Sequence, residues 1–371
     1  MTGARPDVTR ADFDPAHYLY ERYLDRGTRS GALALYYALK PLVPRSAQLA
    51  LRRAYARRQR RRAFPAWPVE PILVRHREEE LRRRIRASVG GRAPFVSFWP
   101  NGHRFCFVLT HDVEGPSGVD NVRRVLEVER RHGLVSSWNF VPEDYSVDPA
   151  LFDELRATGC EIGVHGITHD GKLFQDRDRF SAALPKIERY LEQWDAVGFR
   201  SPATRRNAEW MAELPALYDS SFPDTDPYEP QPGGCCSIFP FFFGDVVELP
   251  ITLVQDHTLF EILGARSIDC WVEKSDWIAE HHGLVNVIVH PDYMIEPERL
   301  RLYDELLGHL SAQAGSWHAL PREVARWWRR REALTIAATP DGGHRVIGGD
   351  GEATVAYARE VDGSIAFQLD G

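Results

Sequence analysis

The chain has 371 residues, of which 43% are hydrophobic and 27% charged, and a formal net charge of -7. That length and balance suit a globular protein of one large domain with additions, or of two domains. They exclude a global basic field of the kind that grips nucleic acid, and no apolar run approaches the ~20 residues of a membrane span.

Residues 1–15 carry Arg5, Asp7, Arg10, Asp12 and Asp14 and no apolar run, so no signal peptide is expected and the protein reads as soluble and cytoplasmic. Cys106, Cys160, Cys235, Cys236 and Cys270 are odd in number and irregularly spaced, which argues against a disulfide framework and for free thiols. Nearly all the basic charge is arginine.

Residues 1–100 read as a helical, Arg-rich N-terminal extension. Tyr18 to Leu24 and Ala32 to Leu39 have helical spacing. Gln48 to Arg62 is a basic helix candidate holding Arg52, Arg53, Arg57, Arg58, Arg60, Arg61 and Arg62, ended by Phe64-Pro65 and Trp67-Pro68. The plain reading of this run is a solvated helix face. Its interleaved Leu49, Leu51, Ala54 and Tyr55 also allow contact with anionic lipid headgroups. Arg77 to Ile85 is a further charged helix.

From Gly102 short apolar runs alternate with amphipathic segments. The runs are Phe105–Thr110, Val135–Phe140, Glu161–His165, Val197–Ser201, Tyr218–Ser221, Val246–Thr252 and Val285–His290. Helix-period segments at Val119–His132, Pro149–Thr158, Arg179–Trp194 and Trp271–His282 lie between them, and Glu298–Leu310 and Pro321–Arg331 follow. Strands alternating with helices imply parallel βαβ units, hence an α/β fold whose seven or so strands suggest a barrel over residues 101–332. The tail, 333–371, has period-2 alternation with turns at Pro340-Asp341-Gly342 and Asp362-Gly363, and is expected to be a small antiparallel β appendage.

Three strand ends carry polar clusters, and in parallel α/β folds reactive groups gather at the C-terminal ends of strands. The first is Thr110-His111-Asp112-Val113-Glu114. Side chains alternate along a strand, so Asp112 and Glu114 share a side, where one carboxylate can bind a metal and the other take a proton. The bland alternative is a helix cap or a surface ion pair. The second contains His165 and His169, four apart and able to share one cation if the chain turns helical after His165. The third ends in His290, which is either a satisfied core histidine or a residue facing the site. Two histidines and a carboxylate form a facial triad with open positions, and a divalent cation so held lowers the pKa of bound water toward ~7.

These clusters, in this order, resemble the polysaccharide deacetylase family (NodB-like, carbohydrate esterase family 4) over roughly Gly102 to Trp328. The resemblance implies a distorted (β/α) barrel and a metal-dependent hydrolase that removes an N-acetyl group from an amino sugar. Where the family has Thr-Phe-Asp-Asp-Gly, this chain has Asp112-Val113-Glu114. One mapping makes Asp112 the general base and Glu114 the metal ligand; the other makes Asp112 the ligand and puts His111 in the base position. Alternation favours the first. His165 and His169 then match the family's metal ligands, and Arg200-Ser201-Pro202 matches the arginine that orients the base. Asp219 matches the aspartate supporting that arginine, and His290 the general acid. The implied cofactor is one divalent ion, Zn2+ first, with Co2+ or Ni2+ as alternatives.

Pro223 to Phe243, rich in Pro, Gly, Asp and aromatics, is expected over the barrel mouth, where its aromatics either meet sugar faces or pack on one another. Asp256-His257 follows a strand and could line the mouth. The implied partner is an N-acetylated glycan, or a lipid- or nucleotide-linked precursor at the inner membrane face, with peripheral membrane contact through the Arg-rich helix. Competing readings are hydrolysis of a small cyclic amide or ureide on the same fold, and glycan binding by a degenerate site.

Overall fold

The computed structural model describes residues 6–24, 45–59, 64–88, 90–349 and 351–369. In chain order the strands are β1 (Arg92–Val96), β2 (Phe105–Val113), β3 (Ser137–Phe140), β4 (Glu161–His165), β5 (Gly198–Arg200), β6 (Tyr218–Asp219), β7 (Phe241–Phe243), β8 (Val246–Glu248), β9 (Leu284–Val289), β10 (Ser316–His318), β11 (Thr335–Ala338), β12 (His344–Ile347), β13 (Val355–Val361) and β14 (Ser364–Leu369).

Every residue of β2, β3, β4 and β9 is buried, as expected of strands covered on both faces in a parallel sheet. The main sheet runs β10-β2-β3-β4-β5-β6-β8-β7, with β9 on the other edge of β2. All pairings are parallel except β7 with β8. The sheet curls, and the segment after β8 returns beside β9: the Leu253 N–H donates to the Asn286 carbonyl (3.2 Å). The expected α/β barrel is thus observed, with two short additions. β7 and β10 are three residues each, too brief to show a period, and β10 is only half-buried.

Register aligns the strand ends. Asp112 pairs with Asn139 across β2 and β3, and His165 with Arg200 across β4 and β5, two residues beyond the Asn139–Gly163 pair, so the four polar residues form two adjacent layers at the C-terminal rim. The helices Pro116–Arg131, Pro149–Ala157, Pro297–Ala312 and Pro321–Glu332 each open on proline. Proline suits the first helical position, where no N–H is needed. The periodic apolar residues begin later, which is why the pattern alone places the first of these starts at Val119.

The extension and the tail meet in one sheet. β1 pairs with β13 and β13 with β14 in one antiparallel sheet. The helix Ile72–Ala87 lays Leu81 and Ile85 on Ala93, Phe95, Ala356 and Ala358 of that sheet. The helix Arg45–Gln59 is present, while Ala32 to Leu39 and Arg60 to Arg62 lie outside the described residues. No helix among the described residues is long and apolar enough to cross a membrane.

The extension also clamps the loop after β6. Glu21 forms a buried ion pair with Arg206, which precedes β6 and donates to the Gln231 carbonyl of the loop (3.2 Å); Gln59 Nε2 donates to the Pro227 carbonyl (2.7 Å), and Arg52 donates to that of Tyr228. Tyr23 Oη donates to the Gly234 carbonyl (2.6 Å), and Thr225 Oγ1 to that of Ala66 (2.8 Å).

Glu161, at the N-terminal end of β4, is buried against Tyr218 and Arg322. Burial raises its carboxyl, the Tyr218 hydroxyl and Arg322 oppose this, and the net value is about 6 rather than 4.5. A raised acid pKa in the folded state means stability that is full below 4.5 and lost as pH climbs through about 6. Relative to Glu161→Gln, the wild type should lose about 2 kcal/mol across that window and stay level above it. Urea unfolding at half-unit pH steps checks this; parallel curves for the two proteins would contradict it.

Candidate active site

Asp112 is the second-last residue of β2 and only 2% exposed. Its Oδ1 accepts from Asn139 Nδ2 (2.9 Å) and lies 3.6 Å from Arg200 Nη1, while its Oδ2 lies 3.8 Å from His165 Nε2 and 4.0 Å from His290 Nε2. Burial raises the carboxyl pKa, but Arg200, His165 and His290, with the Asn139 hydrogen bond, outweigh it and hold the group below its ordinary value. Asn139 can sit there because Gly163 faces it: a Cβ on residue 163 would stand 2.0 Å from Asn139 Oδ1.

Glu114, one residue past β2, turns its carboxylate to the same side. Its Oε1 is 3.0 Å from His169 Nε2 and 3.7 Å from His290 Nε2, and its Oε2 accepts from Tyr293 Oη (3.0 Å). Asp292 fixes the backbone here, accepting from the N–H groups of Glu114 (2.9 Å) and Gly118 (3.0 Å). Residue 118 must be glycine for this approach, since a Cβ would meet Asp292 Oδ2 at 2.1 Å.

His165 closes β4 and sets its own tautomer. Nδ1 donates to the Arg200 carbonyl (3.2 Å), which leaves the Nε2 lone pair facing the site. Burial lowers its pKa to about 4, so the ring is neutral. His169 follows on the next loop, its backbone N–H held by Asp144 (2.6 Å). Glu114, His165 and His169 each offer a ligand atom within 4.8 Å of the others. His165 Nε2 is buried without a hydrogen-bond partner, and His169 Nε2 is buried facing the Glu114 carboxylate at 3.0 Å. Two imidazole nitrogens and a carboxylate are a borderline donor set of the kind that suits zinc and similar divalent ions.

His290 follows β9, 3% exposed. Asp256 holds it twice, accepting from its backbone N–H (2.9 Å) and from Nδ1 (2.6 Å). Burial alone would lower its pKa; the charge and hydrogen bond of Asp256, then Glu114 and Asp112, raise it to about 10. The ring is therefore a cation with its Nε2 turned toward the two carboxylates.

Arg200 is 1% exposed and is held through Nη2 by Thr110 Oγ1 (3.1 Å) and Ser220 Oγ (2.9 Å). The support expected from Asp219 runs through the backbone beside Arg200. No ion pair joins Asp219 to Arg200. Asp219 instead accepts from Ser221 Oγ (2.7 Å), and that hydroxyl accepts from the Ser201 N–H (2.8 Å), so Asp219 steadies the backbone next to Arg200. Its carboxyl is raised by burial beside Glu248, whose Oε1 accepts from the N–H groups of Ser221 and Phe222 (3.2 and 3.0 Å).

His111 lies on the opposite side of β2. Its Nδ1 meets the Val289 carbonyl (3.0 Å), its Nε2 meets Glu129 (2.6 Å), and its ring stacks on Trp138. It cannot reach Asp112's side without inverting the strand. The structure thus gathers Asp112, Glu114, His165, His169, Arg200 and His290 around one point and leaves Asp219 behind them. Asn139, Tyr293 and Asp292 are not among the residues expected from the sequence, and Asp256, expected to line the mouth, proves to hold the His290 ring. Asn139 had a signal, a polar residue near the end of an apolar run; Asp256 and Asp292 had none beyond closeness to the strand ends.

Of the aromatics between Pro223 and Phe243, Tyr228, Phe239, Phe241 and Phe243 are buried and pack on the protein rather than present faces to a ligand; Phe239 lies at the other end of the barrel against Phe98 and Trp99, and Phe241–Phe243 form β7. Glu229 in the loop after β6 bridges two site-bearing segments, with Oε2 near Thr204 Oγ1 (3.3 Å) and Oε1 accepting from Gln255 Nε2 (3.1 Å). Ala203 and Thr204 both have positive φ (51° and 47°), conformations that non-glycine residues hold only under tight constraint.

No family model matches the sequence, and no curated protein does. Solved structures do resemble the fold. A Mycobacterium smegmatis protein assigned as a polysaccharide deacetylase matches with a TM-score of 0.53 and 20% identity, over 66% of this chain and 97% of that one. A Pseudomonas aeruginosa protein assigned likewise gives 0.51 and 17%, over 65% and 96%. At these identities the likeness establishes the fold, which is the NodB-like barrel of polysaccharide deacetylases.

If Asp256 is the main source of the His290 charge, Asp256→Asn should let the imidazole titrate at a clearly lower pH. NMR titration of the ring in metal-free protein measures this. An unchanged His290 titration in the variant would show that Glu114 and Asp112 suffice.

Proposed function

We propose that this protein is a metal-dependent hydrolase that removes an N-acyl group, acetyl first, from an amino sugar of a glycan or glycan precursor. The observation that carries the reading is the convergence of the buried Nε2 atoms of His165 and His169 on the Glu114 carboxylate, with Asp112 and His290 alongside.

Glu114, His165 and His169 would hold one divalent cation, zinc in the first instance. When bound, such an ion polarises an amide carbonyl and makes water more acidic. Asp112 takes the proton of the attacking water. It is ionised for this task because the charges of Arg200 and His290 lie beside it, and Asn139 fixes the oxygen that does not receive the proton. His290 delivers a proton from Nε2 to the departing amine, and Asp256 on Nδ1 keeps that ring oriented and charged. Arg200 positions Asp112 and is itself positioned by Thr110 and Ser220. Exposure sets the direction of approach: the Glu114 and His169 side chains are 20% and 26% exposed, against 3% and 4% for Asp112 and His290. The acyl group enters past the first pair and the sugar stays toward solvent.

The proposed organisation is a barrel over 101–332 with the extension 1–100 and the tail 333–371 packed on it. The proposed setting is cytoplasmic, on a precursor carried near the inner membrane face. Leu51 and Tyr55, 56% and 50% exposed among Arg53, Arg57 and Arg58, support peripheral contact with an anionic bilayer.

Purified protein should carry one divalent ion per chain and release acetate from at least one N-acetylated glycan. His165→Ala should lose both ion and activity. Asp112→Asn should keep the ion and lose ~10²–10⁴-fold in kcat, the usual worth of a positioned base. Metal analysis beside an acetate-release panel decides. A His165→Ala protein that still binds the ion, or acetate release that survives in Asp112→Asn, would overturn the assignment.

A further inference from the structure

At the other end of the barrel lies a cavity of about 430 Å3 with four arginines in its wall: Arg77, Arg83 and Arg84 from the helix Ile72–Ala87, and Arg331 from the helix Pro321–Glu332. Phe95 and Phe98 line its apolar side. Trp99 Nε1 donates to the His282 carbonyl (2.8 Å), and Arg331 Nε to the Ser97 carbonyl (2.9 Å), which places the cavity beside the N-terminal ends of β2 and β9. The catalytic candidates sit at the C-terminal ends, and β9 is six residues long. At ~3.3 Å per residue the two sites are roughly 20 Å apart.

Among the described residues none of the four guanidinium groups is in an ion pair. Arg83 and Arg84 donate only to the backbone carbonyls of Glu79 (3.5 Å) and Pro94 (2.8 Å), and Arg331 only to those of Ser97 and Val96. The Arg77 guanidinium makes no hydrogen bond among the described residues. Its guanidinium lies 3.5 Å from the ring centre of Phe239 and 5.3 Å from that of Phe98. Stacking on a ring face uses the flat side of the group and leaves its N–H edge for an acceptor. The single acid in the wall, Glu80, is drawn off toward His76 (3.7 Å) and is 57% exposed. Burial, then the neighbouring charge of Arg331, pushes Arg77 down to about 9 against the opposing charge of Glu80.

We propose that this cavity is a second ligand site that takes a phosphate group, with the unpartnered edge of Arg77 and the charge of Arg331 as its main determinants. Four guanidinium groups against one turned-away carboxylate call for a multiply charged anion, and the guanidinium fork matches phosphate oxygens in pairs. Phe95 and Phe98 give the carbon part of the ligand an apolar wall. The phosphate belongs either to a soluble phosphorylated metabolite or to a lipid headgroup; the recognition chemistry is the same. The site does not depend on the deacetylase reading of the other end.

Calorimetric titration of the full chain with pyrophosphate, at constant ionic strength, tests the site, and co-sedimentation with phosphatidylglycerol vesicles separates the two sources. Saturable binding should weaken by about 10-fold in Arg77→Gln, the worth of one charged hydrogen bond, and remain unchanged in Arg75→Gln, which alters an exposed arginine of the same helix. Arg84→Gln serves as a second reporter should Arg77→Gln disturb folding, which circular dichroism shows directly. Binding of pyrophosphate sensitive to these variants supports a soluble ligand. Vesicle binding with the same sensitivity, and no pyrophosphate binding, supports a lipid. If neither probe binds, or if wild type and both cavity variants bind alike, the site does not exist.

Discussion

The site is organised around a buried carboxylate. Asp112 has almost no access to water, and a charge so placed is costly unless cations and hydrogen bonds compensate it. Arg200, His290 and Asn139 supply that compensation, and each has its own support: Thr110 and Ser220 for Arg200, Asp256 for His290, and the missing side chain of Gly163 for Asn139. Strand register fixes these neighbours before any side-chain detail. Because β2, β3, β4 and β5 run parallel, their last polar residues fall side by side, and a slip of one residue would turn Asp112 to the helix side and His111 into the site.

A second constraint comes from outside the barrel. The loop after β6 carries buried Asp224, Asp226 and Glu229. Lys274 neutralises Asp224 through a 2.7 Å ion pair, and burial still pushes that carboxyl up to about 6. The N-terminal extension holds the loop by hydrogen bonds to its carbonyls and through the Glu21–Arg206 pair. Glu229 then ties the loop to Thr204 and to Gln255, the neighbours of the Arg200 and Asp256 segments. The extension therefore acts on the site's geometry without touching the reacting groups.

Much of this was legible in the residues. Apolar runs ending in Asp112, His165 and His290 gave strands, their order and the polar rim, because buried parallel strands are continuous in hydrophobicity. The choice between His111 and the two carboxylates was not fully legible. Alternation tells which residues share a side but not which side faces inward, and Glu129, the partner that claims His111, lies in the following helix. Asp256 could not be assigned for a similar reason: its role depends on a bend that carries it back to β9. The link between β1 and β13 spans more than 250 residues, and period-2 patterns say nothing about partners at that distance. Of the arginine run, Arg52 turned inward to the Tyr228 carbonyl, whereas Arg53, Arg57 and Arg58 stayed exposed.

The central claim is that three side chains from two strand ends grip a single cation, leaving Asp112 beside it as a free base. Anomalous diffraction from crystals of the full chain, recorded at the absorption edge of the bound metal, measures this most directly. The account predicts one peak within bonding distance of Glu114, His165 Nε2 and His169 Nε2, with Asp112 still held by Asn139 and Arg200. A peak coordinated by Asp112 with Glu114 turned away, or no peak between the two imidazoles at saturating metal, would contradict it.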